Sequence, residues 1–262
     1  MNLLRRRIDL AWRLFGTAFS FACFGVGAIV ISITVFPAIR LISPDRDLRR
    51  RRIQRAMRQV MSLFVWLMKT LGVITCAVHG AEKLRRPGQL VIANHPSLID
   101  VVMLIALMPQ VDCIVKQALW RNPFLRWPVT WAGYIPNRDP ENLVEECAAA
   151  LRAGRSLIVF PEGTRTVPGA PMHFKRGAAQ IALAAGCEVR PVRIEVAPPM
   201  LGKHHHWHWV PPQPGHWQIE VGEIIAPSEI AAFGGAQGLA ARRLTRHFLD
   251  RLSGDLPAPA PV

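Results

Sequence analysis

Residues 14–39 form an unbroken run of 26 positions without a charged side chain, and no other stretch so limits what this chain can fold into. About 20 apolar residues suffice to cross a bilayer as a helix. A soluble helix seldom stays uncharged on every face for so long. The run is about twice a typical signal-peptide core and lacks a small-x-small exit, so it fits a secretory signal poorly. Arg5, Arg6, Arg7 and Arg13 precede it, while Arg40, Arg46 and Arg49 to Arg52 follow. Positive charge on both flanks assigns no orientation across a membrane. A second apolar stretch, 60–78, is interrupted by Lys69 and reads as a long, partly amphipathic helix. Two arrangements fit. The first helix spans the bilayer, or the two helices form a hairpin that dips in and returns with its basic ends in anionic headgroups. The hairpin is the preferred reading.

Charge supports a lipid partner. Of a formal net charge of +14, residues 1–58 contribute 12 Lys/Arg against 3 Asp/Glu. These arginines flank the apolar run and do not interleave with aromatics, which points to anionic lipid and away from nucleic acid. The cysteines, Cys23, Cys76, Cys113, Cys147 and Cys187, are isolated and include no C-x-x-C pair. That excludes a disulfide framework and a thiolate zinc site, and it fits a reducing compartment. The chain is therefore expected at the inner, cytoplasmic membrane, with its functional residues facing the cytoplasm.

From residue 88 onward, short apolar runs alternate with helical stretches, the pattern of an α/β sheet. Strands are expected at 89–93, 111–115, just before 133–138, at 156–160, 188–196 and 218–225. Helices are expected from Pro96, over 141–152, over 175–185 with Gly186 as the stop, and over 236–252. The expected fold is α/β, with a mixed, mostly parallel sheet flanked by helices and an N-terminal hydrophobic two-helix membrane motif. The units are 1–79 (membrane-associated helices and basic linker), 80–253 (the α/β domain) and 254–262 (a flexible Pro/Ala tail).

This reading sets His95, Lys116, Arg138, Glu162 and Arg165 just past strands, where ligand sites of open α/β sheets gather. His95 has a near-neutral pKa and can accept a proton from an attacking hydroxyl. Asp100, five residues on, can hold the other ring nitrogen and stabilise the imidazolium. Ser97 lies too close to His95 to be a convincing nucleophile and reads as support for the helix start. Lys116, Arg138 and Arg165 can bind a phosphate. Glu162 and Gly163 form a tight turn able to position an acceptor. With nine His and eight Asp, an H-x4-D pair arises by chance in about a quarter of such chains. The ordered set carries the weight.

Asn94-His95-Pro96-Ser97-Leu98-Ile99-Asp100, residues 133–138 preceded by Lys116, Phe160-Pro161-Glu162-Gly163-Thr164-Arg165, Phe174-Lys175-Arg176-Gly177-Ala178 and Val189-Arg190-Pro191-Val192 occur in that order. Together they resemble the blocks of the glycerophospholipid acyltransferase family, over roughly residues 60–225. The resemblance implies transfer of an acyl group from acyl-CoA or acyl carrier protein to the free hydroxyl of 1-acylglycerol-3-phosphate, at a bilayer surface, without metal or redox cofactor. It implies His95 as base and Asp100 as its partner. Asn94, Lys116, Arg138, Glu162, Gly163, Thr164 and Arg165 become the substrate-binding set. One departure stands out: Pro136-Asn137 occupies positions where the second block commonly has an apolar residue and an acid. Relatives of this general kind also acylate lysophospholipids, ornithine lipids or lipid-linked pigments, so the acceptor stays open. A non-catalytic, lipid-binding scaffold has no need of the ordered blocks, and no G-x-S-x-G elbow marks a hydrolase.

Lys203-His204-His205-His206-Trp207-His208-Trp209 has four histidines in five positions but no nearby carboxylate or cysteine to complete a metal site. It reads as a loop with Trp207, Trp209 and Trp217 in the membrane interface. The stretch from Trp120 to Trp131 reads as packing or as the lining of an acyl groove.

Overall fold

In the computed structural model, which describes residues 3–254 apart from 124 and 139, the apolar run is a single rod. The Pro/Ala tail falls outside the described residues from 255 onward. Helix α1 (Leu3–Ile33) has 31 residues, roughly 46 Å at 1.5 Å per residue. Helix α2 (Val35–Leu41) follows it. Segment Leu4–Leu41 is long and apolar enough to cross a membrane. Its outward face is apolar, and its inward face mixes core-packed Phe21, Phe24 and Ile31 with polar side chains. Leu4, Ile8, Trp12, Phe15, Phe19, Val26, Val30 and Ile33 are exposed at helical spacing, whereas Arg13, Thr17, Ser20 and Ser32 are buried. The three hydroxyls are satisfied by carbonyls one turn back in the same helix. Arg13 donates to the Pro211 and Pro212 carbonyls, which ties α1 to the α/β body.

The chain reverses only after the apolar run. Asp45 accepts from the Leu48 amide and caps α3 (Arg46–Thr70). The two basic clusters thus stand at opposite ends of the rod, and α3 runs back along it: Phe64 packs on Phe21 and Phe24, and the Trp12 indole donates to the Leu71 carbonyl, so the two long helices pair as a hairpin. The expected helix over 60–78 also ends early, at Thr70. Gly72, at φ +68°, supplies the left-handed turn, and strand β1 (Ile74–His79) follows. A short apolar run rich in β-branched residues suits a strand as readily as a helix. Residues 74–79, read from sequence with the membrane segment, belong to the sheet.

The sheet is α/β, mixed and mostly parallel, as expected. Its other strands are β2 (Leu90–Ala93), β3 (Asp112–Lys116), β4 (Ile135–Asn137), β5 (Leu157–Val159), β6 (Val189–Ala197) and β7 (Gly215–Val221). Their spatial order is β1-β7-β6-β2-β5-β3-β4, and every pairing is parallel except β6 with β7. The interleaved helices are α4 (Asp100–Leu107), α5 (Arg126–Ala132), α6 (Pro140–Arg152), α7 (Gly177–Ala185), α8 (Pro227–Ala231) and α9 (Gln237–Ser253). Along β2, successive side chains feed opposite cores, as a strand buried on both faces requires. Val91 packs with residues of α3, α4 and α5, whereas Leu90 and Ile92 pack with α6, α7 and α9.

Two expectations shift. The segment before residue 133 is helix α5, and the strand lies inside the 133–138 block, because Gly133 at φ +67° ends the helix in the left-handed conformation. Pro96 does not open a helix; α4 starts at Asp100.

Asp112, almost wholly buried at the start of β3, accepts from Gln54 at 2.7 Å and pairs with Arg50 and Arg155. Burial pushes its carboxyl above the usual range, and Arg50 beside it pulls the other way without cancelling that. This cluster pins α3 to the sheet. Asp112→Ala leaves two guanidiniums without their counter-ion, a loss of about 2–3 kcal/mol for a partly exposed network. Thermal melting should fall by roughly 5–10 °C for a chain of this size.

Candidate active site

Strands β6, β2, β5, β3 and β4 all point the same way, and their carboxyl ends form one edge. His95 leaves β2 there. Residues 95–99 make a tight loop that swings Asp100 back beneath the imidazole. The His95 Nδ1–H donates to Asp100 Oδ2 at 3.0 Å. The Ser97 amide donates to the same oxygen at 2.6 Å, and the Trp217 indole donates to Oδ1 at 2.9 Å. With Nδ1 carrying the proton, three donors converge on the two oxygens, an arrangement that an ionised carboxylate accepts in full. Asp100 is fully buried, which pushes its carboxyl above the usual range, and His95, Ser97 and Trp217 offset that only in part.

With Nδ1 held, the other ring nitrogen, Nε2, has no hydrogen-bond partner among the described residues. The His95 side chain keeps 18% of its surface exposed, and its ring stacks on Phe160 with centroids 4.2 Å apart. The result is an oriented base whose free nitrogen is left for an incoming proton. Ser97 cannot serve as a nucleophile, since its Oγ is buried with no hydrogen-bond partner among the described residues. Its backbone, rather than its hydroxyl, supports the loop.

Backbone clamps hold the histidine in place. Asn94 donates to the Ile194 carbonyl at 2.8 Å and accepts from the Ile194 amide at 2.7 Å. Its amide is thus engaged between β2 and β6 and does not face a substrate. Glu162 also turns inward. One of its oxygens takes the His95 amide at 3.2 Å and the Thr166 hydroxyl. Thr166 accepts from the His95 amide at 2.9 Å and returns its own amide to the His95 carbonyl at 2.7 Å.

Arg165 donates from Nη1 to the Leu201 and Gly202 carbonyls at 2.9 and 2.8 Å, fastening the 198–209 loop beside the base. Gly163, at φ +66°, and Thr164 are exposed at the rim. The left-handed backbone at Gly163 favours glycine there, and the Lys175 amine reaches to 3.0 Å from where its Cβ would sit, so Lys175 joins the rim as a cation. Lys116 and Arg138 are exposed at the ends of β3 and β4. Strands spaced ~4.8 Å apart set them roughly 10 and 15 Å along the edge from β2. A cavity of about 230 Å³ opens there, lined by Gln117, Trp120, Thr130, Tyr134, Pro136 and Arg138. A larger one, about 310 Å³, lies at the opposite sheet edge against Asp112, away from this chemistry.

Sequence reading did not find Thr166, Phe160 or Lys175 as site residues, although all three lie within or beside the blocks it used. Trp217 it placed in the membrane interface; the structure buries it completely. Trp207 and Trp209 are exposed, and His205 stacks on Trp209 at 4.0 Å. Among the described residues, no three His, Cys, Asp or Glu side chains are grouped to hold a metal ion.

Residues 75–195 match the family described as Acyltransferase. A chloroplastic 1-acyl-sn-glycerol-3-phosphate acyltransferase of Arabidopsis thaliana is 32% identical over 108 residues, 39% of this chain and 30% of that protein. The 1-acyl-sn-glycerol-3-phosphate acyltransferase of Saccharomyces cerevisiae is 32% identical over 144 residues, 50% of this chain and 46% of its own length. That of Pseudomonas aeruginosa is 25% identical over 134 residues, 49% of this chain and 52% of the relative. The chain thus spans about a third to a half of the length of these curated relatives. The crystal structure of the 1-acyl-sn-glycerophosphate acyltransferase PlsC from Thermotoga maritima shares the fold, with TM-score 0.67 and 21% identity over 97% of this chain and 100% of that one.

Asn94→Ala separates a clamp from a substrate contact. Loss of both bonds leaves the buried Ile194 amide and carbonyl unpaired, at about 2–3 kcal/mol. The melting temperature should drop, while substrate KM in the folded fraction stays within about twofold. A raised KM at unchanged stability would return Asn94 to the substrate.

Proposed function

We propose that this chain, which carries an acyltransferase-family domain over residues 75–195, is a membrane-associated O-acyltransferase that acylates the free hydroxyl of 1-acylglycerol-3-phosphate to give phosphatidate, as a step in phospholipid synthesis. The observation that carries the reading is the His95–Asp100 dyad, its Nε2 without a hydrogen-bond partner among the described residues, at an edge that also presents the exposed cations Lys116, Arg138 and Lys175. The acyl donor is a thioester, acyl-CoA or acyl carrier protein, and no metal or redox cofactor takes part.

His95 Nε2 takes the proton of the acceptor hydroxyl as its oxygen attacks the thioester carbonyl carbon. The imidazolium that forms is stabilised by the Asp100 carboxylate. Collapse of the tetrahedral adduct breaks the C–S bond, and Nε2 returns the proton to the departing thiolate. The rim cations, with their fixed spacing from β2, hold the acceptor phosphate. Membrane association rests on the exposed apolar stripe of α1. A rod with arginines at both ends puts both in one headgroup layer when it lies along the cytoplasmic face of the inner membrane.

A second reading keeps this chemistry and changes the acceptor to another lipid, such as a lysophospholipid. The 230 Å³ cavity beside Arg138, next to Pro136 and Asn137, favours it by leaving room for a group larger than a phosphate.

The purified chain with labelled acyl-CoA and lysophosphatidate should form phosphatidate. His95→Ala should lower the rate by about 10³-fold or more while the fold persists. Arg138→Ala should raise KM for lysophosphatidate roughly tenfold, as loss of a charged hydrogen bond costs, and leave a phosphate-free monoacylglycerol unaffected. Full activity of His95→Ala overturns the proposal; equal effects of Arg138→Ala on both acceptors remove its phosphate role.

A further inference from the structure

The catalytic dyad is usually read as a local object, two side chains five residues apart. Its third member here is 117 residues away. Trp217 lies on β7, the strand that runs against its neighbour β6, and is paired with Val196 on one side and Cys76 on the other. No sequence block contains it. It is fully buried, so solvent cannot stand in for its indole N–H. Its only hydrogen bond among the described residues goes to Asp100 Oδ1.

The neighbourhood is arranged around that bond. Gly215, two positions earlier on the same face of β7, has no left-handed backbone to explain it. A Cβ there would meet the Trp217 ring at 2.7 Å and Met200 at 3.2 Å. Real Cβ atoms do not approach so closely, so a side chain at 215 would push a rigid bicyclic ring off its position. Gly215 is therefore small to admit the indole.

We infer that Trp217 is a positioning residue for the acyl transfer: its indole N–H engages Asp100 Oδ1, which turns Oδ2 toward His95 Nδ1 and keeps the buried carboxylate ionised. Without that donor, Oδ1 of the fully buried Asp100 loses its hydrogen bond from the indole. The carboxylate then rotates or takes up a proton, and His95 loses the partner that fixes its tautomer. The inference rests on the function proposed above. It adds β7, a strand outside all the motif blocks, to the machinery.

Trp217→Phe keeps an aromatic ring in the site and removes the donor together with the pyrrole half of the indole, so a small cavity accompanies the loss. Its kcat should fall about tenfold, the scale of one hydrogen bond to a charged group, with KM within about twofold. Loss of the N–H dipole raises the proton affinity of the dyad, so the acid limb of kcat/KM should move up by about half a pH unit. Gly215→Ala, which touches neither Asp100 nor the substrate, should reproduce both changes in milder form. The third measurement needs no change at position 217: the indole N–H proton resonance of Trp217 in the otherwise native chain should lie downfield and shift upfield in Asp100→Asn.

His95→Ala is assayed first. If it retains activity, the proposed function fails. If it is inactive while folded Trp217→Phe keeps the native kcat and pH profile, only this inference fails. If Trp217→Phe does not fold, an indole resonance unmoved by Asp100→Asn overturns it.

Discussion

One buried carboxylate organises the working end of this molecule. Asp100 has no exposed surface, and burial pushes its carboxyl up. It stays an acceptor because three donors reach it from three parts of the chain: an imidazole, a backbone amide and an indole. Each is needed for the others to be useful. The Ser97 amide fixes the loop and the Trp217 indole takes the oxygen that His95 does not use. His95 in turn is left with a single free nitrogen.

Around that pair the sheet works as a jig. Five strands ending on one edge make the base, the Glu162–Thr166 clamp and the rim cations neighbours. The clamps act on backbone more than on side chains: Asn94 joins β2 to β6, and Thr166 exchanges two hydrogen bonds with His95. Rigid support of this kind keeps a base within reach of its proton without loss of orientation on each turnover. The same economy appears at Arg165, whose Nη1 fastens the 198–209 loop instead of meeting solvent.

Much of this was legible in the sequence, and the failures share a cause. The dyad, the order of the blocks and the parallel sheet could be read because each is a local pattern repeated at strand ends. The inward turn of Glu162 could not, since residue identity does not say which way a side chain on a tight turn faces. Trp217 was assigned to the membrane because an indole near two others looks interfacial, yet its partner lies 117 residues away. The boundary at residue 79 slipped because the apolar residues from 73 to 78 suit helix and strand equally, and only pairing with β7 decides. The apolar run of α1 from residue 14 onward was legible. The exposed apolar stripe of the helix and its buried Arg13, Thr17, Ser20 and Ser32 needed the packing to be seen.

The central claim is that His95 activates the acceptor itself, with no protein nucleophile in between. Ser97 Oγ is buried, and the Thr166 hydroxyl beside His95 is already engaged by the His95 amide and Glu162. Rapid-quench release of free CoA from acyl-CoA, with and without acceptor, tests this most directly. The account predicts no burst of CoA without acceptor, and release in step with ester formation when acceptor is added. A burst of one CoA per enzyme in its absence, with an acyl group recovered on the protein, would contradict it.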